Sequence, residues 1–334
     1  MTRRAPAVVS IAVAVAAVCS PRVSAQDQAF TRDIQARARV FPAVGPGIIS
    51  IKRDAAGHYY LLATPASAIQ IYSADGKRLG QIPNANSGAA KIVYASDMDL
   101  DAEGHVFVAD RGSNTVKIFN ADGSLLAAVP VAAPISIAAL SDFDFALTIL
   151  HSHELISIFN AHKAGGRAFG QVPSSADEDS STLASHGRVY GDGKDRIYFA
   201  FTDLPDPTIR RYDRFGAASY DISLPAAEFK PPSEARPWTT LTIGKNAAPP
   251  KPVITALAAD SESEDVWAAI GNELLHFDKD GNRRTAYLLF TKENARLDAS
   301  AILIEHNRIL IGDDPNGIYE FALPEARMAA DAAH

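Results

Sequence analysis

The chain is poor in cysteine, sulfur and tryptophan. Its 334 residues hold one Cys, three Met and two Trp. The single cysteine, Cys19, lies in an N-terminal leader, so a disulfide framework and a cysteine metal site are both excluded from the remainder. No apolar run reaches the roughly 20 residues that a membrane-spanning helix needs. Ala7 to Val18 is twelve residues, broken only by Ser10. Positive charge is also scarce: the net charge is −7, and loss of residues 1–25 would take three arginines and no acid, leaving −10. A surface of that sign argues against nucleic acid, whose phosphates require clustered Lys and Arg. No basic amphipathic stretch calls for a membrane surface. Phosphate-loop and G-x-S-x-G nucleophile-elbow motifs are absent.

The leader has the layout of a signal peptide. Arg3 and Arg4 precede the apolar run, and Val23-Ser24-Ala25 offers the small residues of a cleavage site before Gln26. Residues 1–25 are therefore expected to be a signal peptide, and the mature chain to be secreted or periplasmic. Residues 26–45 are read as an N-terminal segment with a ring-closing strand, 46–324 as one repeat domain, and 325–334 as a disordered tail. Nothing in the composition asks for an oligomer, and a monomer is expected.

An internal repeat runs through that domain. In its clearest copy, Asp97–Asp101 alternates as a strand, Ala102-Glu103-Gly104 turns, and His105–Asp110 is a second strand. Arg111–Asn114 is a loop, Thr115–Phe119 a third strand, Asn120-Ala121-Asp122-Gly123 a hairpin turn, and Ser124–Val129 a fourth strand. The tracer is an aromatic near the end of each third strand: Tyr72, Phe119, Phe159, Tyr212, Phe277 and Phe321. Six four-stranded units that bury their faces only against each other make an all-β, six-bladed β-propeller of four-stranded antiparallel blades. A β-sandwich is the alternative, but it needs no fixed aromatic in a repeated unit. The sixth unit lacks a fourth strand after Phe321, and Arg37–Pro42 is expected to supply it, closing the ring with an N-terminal strand.

Gly104-His105-Val106-Phe107-Val108-Ala109-Asp110 followed by Asn114-Thr115-Val116-Lys117-Ile118-Phe119 resembles the NHL repeat family of propellers, over roughly residues 46–324. Propellers of similar outline include lactonases and lyases, which mostly use a metal or an acidic residue in the central tunnel. The lactonase pattern opens its first blade with a metal-binding glutamate, whereas here that strand reads Gly47-Ile48-Ile49-Ser50-Ile51.

Candidate site residues follow from this frame. His151 and His153 flank Ser152 after the third blade's second strand, and an H-x-H pair directs both rings one way, as a Zn site would need. Asp110 and Asp203 fall at matching positions and offer carboxylates to join them, with Arg111 beside Asp110. Asp97, His186 and Asp298 are placed at first-strand starts, where oxygen ligands could converge for Ca²⁺. Two long blade-to-blade connections stand out: residues 173–186, with the acidic run Asp177-Glu178-Asp179, and residues 225–252, with seven prolines and Trp238. Both leave the face expected to bind. The expectation is a recognition module for a protein, peptide or glycan without a cofactor. Its alternative is a metal-dependent lactonase- or lyase-like enzyme with its site in the tunnel.

Overall fold

The computed structural model describes residues 31–85, 87–150, 152, 154–171, 187–201, 208–224 and 253–323. They form six sheets arranged as blades around one axis, in the order expected. The first strands of blades one to six are Ile48–Arg53, Ala95–Leu100, Pro134–Ala139, Gly187–Gly191, Ala256–Ala259 and Ala299–Glu305. Each touches the first strand of the next blade, and the sixth touches the first, which closes the ring around a central channel.

The blades are punctuated by one local motif. An Asp, Asn or Ser is followed three residues later by Gly, as in Asp101-Ala102-Glu103-Gly104-His105 and Asp278-Lys279-Asp280-Gly281-Asn282. The Gly104 amide donates to the Asp101 carbonyl (3.2 Å), and the Asp101 side chain accepts from the Glu103 and His105 amides. Gly104 and Gly281 sit at φ +86° and +83°, a region that side chains other than Gly disfavour. These turns join first to second and third to fourth strands on one end of the ring, the turn face. Second-to-third-strand loops and blade-to-blade connections lie on the other end, the loop face.

The tracer aromatics set the register. Tyr72, Phe119, Phe159, Tyr212, Phe277 and Phe321 each pair with a second-strand residue: Tyr59, Val106, Phe145, Ile197, Val266 and Ile309. All but Phe159 are buried. The described residues contain six hydrophobic clusters, and each lies between two neighbouring blades, including one that joins blade six to blade one through Leu310, Ile318, Ile48 and Tyr59. A blade therefore has no core of its own, and burial comes from its neighbours.

Ala38–Val40 pairs antiparallel with Gly317–Ala322 and supplies the sixth blade's fourth strand, as expected. An additional strand was not expected. Thr31–Gln35 lies parallel to Arg283–Phe290 and gives blade five a fifth strand. The Ala36 amide bonds to the Phe290 carbonyl (2.8 Å) and the Arg37 amide to the Glu320 carbonyl (2.7 Å), so one short segment straps blade five to blade six. Among the described residues no helix is long and apolar enough to cross a membrane.

Candidate functional site

Equivalent first-strand positions form layers down the channel. The residues opposite Leu62, Ala109, Thr148, Ala200, Ala269 and Gly312 are Ser50, Asp97, Ser136, Arg188, Ala256 and Ala301. Two residues further on lie Lys52, Asp99, Ala138, Tyr190, Ala258 and Leu303. The charges in these two layers meet, one pair across the channel and one between neighbouring blades. Arg188 Nη2 of blade four is 3.3 Å from Asp97 Oδ2 of blade two, and Lys52 Nζ of blade one is 2.6 Å from Asp99 Oδ1 of blade two. The carboxylates also accept backbone amides of blade three: Ile137 donates to Asp97 (3.3 Å) and Ala139 to Asp99 (2.9 Å). Asp97 takes a further bond from the Met98 amide (2.9 Å).

Burial dominates the electrostatics of this waist. It pushes the Asp97 carboxyl above its ordinary range, even though Arg188 and Lys52 pull the other way. Burial works against the Lys52 ammonium as well, but the adjacent Asp99, with Asp97 behind it, outweighs this and holds the lysine charged more firmly than usual. Burial raises the Tyr190 hydroxyl, which has no hydrogen-bond partner among the described residues. The space left between Ser50, Lys52, Asp97, Arg188 and Tyr190 is ≈ 30 Å³, room for water but far below the volume of a small-molecule pocket. Below it the channel widens to a mouth of ≈ 400 Å³ on the turn face, rimmed by Asp54, Asp192, Asp260 and Glu305. The waist is thus a plug of compensated charge.

The expected site residues are dispersed. Asp97 lies in the waist. Asp298 is exposed ahead of blade six's first strand, and its amide donates to Asp313 Oδ1 (2.5 Å), so it does not join Asp97. Asp110 is fully buried at the end of blade two's second strand. It accepts from the amides of Val93 (3.1 Å) and Tyr94 (2.9 Å), from Ser113 Oγ (2.6 Å) and from Lys117 Nζ (2.5 Å). Burial raises its pKa, but the Lys117 and Ser113 bonds and the two amides prevail and hold it below the usual carboxylate range. Arg111 is exposed on the loop face beside it. His151, His153, His186, Asp203 and Trp238 lie outside the described residues.

The register corrects one alignment. Asp110 stands four residues beyond the partner of its blade's aromatic. The residue so placed in blade six is Asp313, which is buried and accepts from Asn316 Nδ2 (2.6 Å), and in blade four it is Phe201 rather than Asp203.

Lys52, Asp99, Arg188 and Tyr190 were not singled out from sequence. The available signal was a cation amid the apolar residues of a first strand, in Ile49-Ser50-Ile51-Lys52 and Gly187-Arg188-Val189. One three-residue group among the described residues has ligand atoms close enough for a metal: Asp101, Glu103 and His105, all within 4.8 Å. Its His105 Nδ1–Asp101 contact (2.8 Å) recurs in blade one as His58–Asp54 (3.0 Å), with Ala56 in place of Glu103, and so belongs to the turn motif.

No family model matches the chain, and no curated protein matches it. Solved structures similar to it are propellers of differing activity. A gluconolactonase from Xanthomonas campestris superposes with a TM-score of 0.57 at 13% identity, over 91% of this chain and 98% of that one. A catalytically inactive virginiamycin B lyase from Staphylococcus aureus, with quinupristin, gives 0.51 at 14%, over 83% and 95%. The WD40 repeats of RRP9 give 0.57 at 10%, over 87% and 99%. At these identities the likeness is one of fold.

Proposed function

We propose that the chain is an exported recognition module, with degenerate NHL-like repeats, that binds a protein, peptide or glycan on its loop face. The plugged waist carries this reading. Both of its carboxylates are answered by a cation and by backbone amides, and the free space beside them admits water but no ligand-sized group. A ligand is therefore better accommodated on a face than in the axis. The connections of residues 173–186 and 225–252 join strands that end and begin on the loop face, and long connections there suit a shaped recognition surface. The leader of residues 1–25 supports export.

The solved structures of like fold include a lactonase and a lyase as well as a WD40 domain, so the test sets binding against turnover. The chain is screened on a glycan array and against a displayed peptide library, and assayed in parallel on aliphatic lactones with and without Ca²⁺ or Zn²⁺. Saturable binding without turnover is expected. Metal-dependent lactone opening would replace this reading with the enzymatic one.

A further inference from the structure

Five large apolar side chains are exposed among the described residues: Leu79, Val93, Tyr94, Leu126 and Phe215. Leu79 and Leu126 lie on the outer strands of blades one and two, and Phe215 lies on a turn of blade four at the turn face. Val93 and Tyr94 are adjacent, 49% and 47% exposed, and lie on the loop face in the connection from blade one to blade two.

This pair is held rigidly from beneath. The buried Asp110 carboxylate accepts both of their backbone amides and is itself fixed by Lys117 and Ser113. The Gly112 amide donates to the Tyr94 carbonyl (3.2 Å), and a Cβ on Gly112 would stand 2.7 Å from the Tyr94 nitrogen and 2.8 Å from Val93 Cγ1. The loop that carries Arg111 is therefore pressed flat against the exposed pair. Lys91 and Arg111, both exposed, flank it, and neither makes an ion pair among the described residues. A rigid aromatic next to an arginine, with little entropy left to lose, is the composition of an interface hot spot.

The polarity of the patch selects the partner. Its one carboxylate, Asp110, is fully buried with its oxygens committed. A sugar's hydroxyls both donate and accept, whereas the flanks offer cationic donors alone, which a carboxylate matches more fully. Against a chain that is acidic as a whole, Lys91 and Arg111 make this patch locally positive, and that local sign complements an acidic ligand. We infer that Val93, Tyr94 and Arg111 form a contact surface for a polypeptide segment that presents a carboxylate beside a large apolar side chain. This rests on the recognition reading above and specifies where on the loop face it acts.

A randomised short-peptide library is panned on the chain. Retained peptides are synthesised and titrated calorimetrically against the unaltered protein, Tyr94→Ala, Arg111→Glu and, as a remote control, Phe215→Ala. The expected peptides carry Asp or Glu next to a large apolar residue. They bind Tyr94→Ala and Arg111→Glu about tenfold or more weakly, as hot-spot truncation does, and Phe215→Ala unchanged. All three changes are at exposed side chains, and unaltered melting temperatures confirm that folding is not the cause. Lys91→Glu provides an independent variant that should weaken binding in the same sense. Peptides indifferent to Tyr94 and Arg111 would overturn the inference while leaving recognition elsewhere on the face intact. Glycans retained on an array and weakened by Tyr94→Ala would overturn it in favour of a sugar platform. Retention of neither peptide nor glycan would overturn it together with the recognition reading.

Discussion

Arg188 reaches across the channel to Asp97, 3.3 Å away, and joins blade four to blade two past the blade between them. Blade three is not bypassed, because its Ile137 amide donates to the same carboxylate oxygen. One atom thus ties three blades. Replacing Arg188 by Met leaves Asp97 buried without its cross-channel cation. Breaking a dry pair costs about 3–5 kcal/mol. Arg188 retains 22% exposure, so a loss of about 2–3 kcal/mol is expected in urea unfolding. Adding Asp97→Leu should return most of that loss, since the double variant removes both charges.

Asp97 and Asp110 should affect acid stability with opposite signs. The Asp110 pKa is lowered on folding from 3.8, so its contribution is complete above that value and is lost as pH falls through the folded value. Asp97 is raised, chiefly by burial, so its contribution is complete below 3.8 and is lost as pH rises through the folded value. Urea midpoints measured across acidic pH should show Asp110→Asn with a flatter fall on acidification. Asp97→Asn should lose the decline seen on going up from 3.8. A variant whose pH profile parallels the unaltered chain would refute the assignment for that residue.

The N-terminal strap predicts a graded response to truncation. A chain starting at Arg37 loses the strand of blade five but keeps Ala38–Val40, and its melting temperature should fall modestly. A chain starting at Ala43 also loses the sixth blade's fourth strand and the buried Phe41. It should melt much earlier and associate on size-exclusion chromatography, because the Gly317–Ala322 edge is then unpaired.

Two glycines separate backbone strain from steric clash. A Cβ at Gly104, φ +86°, meets nothing within 4 Å, so Gly104→Ala should cost about 1–2 kcal/mol through the left-handed backbone alone, and Gly104→Asn less. A Cβ at Gly187 would lie 2.2 Å from Phe199 Cζ and 2.7 Å from the Ala200 carbonyl. Gly187→Ala should cost about 1–3 kcal/mol by overpacking, and Phe199→Leu should partly rescue it. Equal effects of Asn and Ala at position 104, or no rescue at 187, would contradict these origins.

The blades were legible because the requirement recurs. Every unit carries an aromatic that packs against the preceding blade, and Tyr72 through Phe321 supply it at blade-length spacing. The closing strand was legible because blade six visibly ran out of residues. Arg188 escaped notice because its partner is set by the channel's diameter, which joins blades two and four, and Lys52 because its partner Asp99 lies on the first strand of the next blade, and no period records either pairing. Thr31–Gln35 escaped for another reason. Its side chains are mostly exposed, so its attachment to blade five is a matter of main-chain bonds and leaves no apolar pattern. Asp110 was marked as a site residue from its place beside a loop, whereas its carboxylate faces inward and orders Val93 and Tyr94, which were not marked.

The strap also fixes a sequence of events. Thr31 to Val40 are synthesised well before their strand partners, which lie at Ala286 to Glu320. This segment must stay unpaired until the chain has been made through Glu320, and contacts of such separation form slowly. No ring can form prematurely, because the last hoop cannot snap shut until the strand of Gly317–Ala322 has arrived.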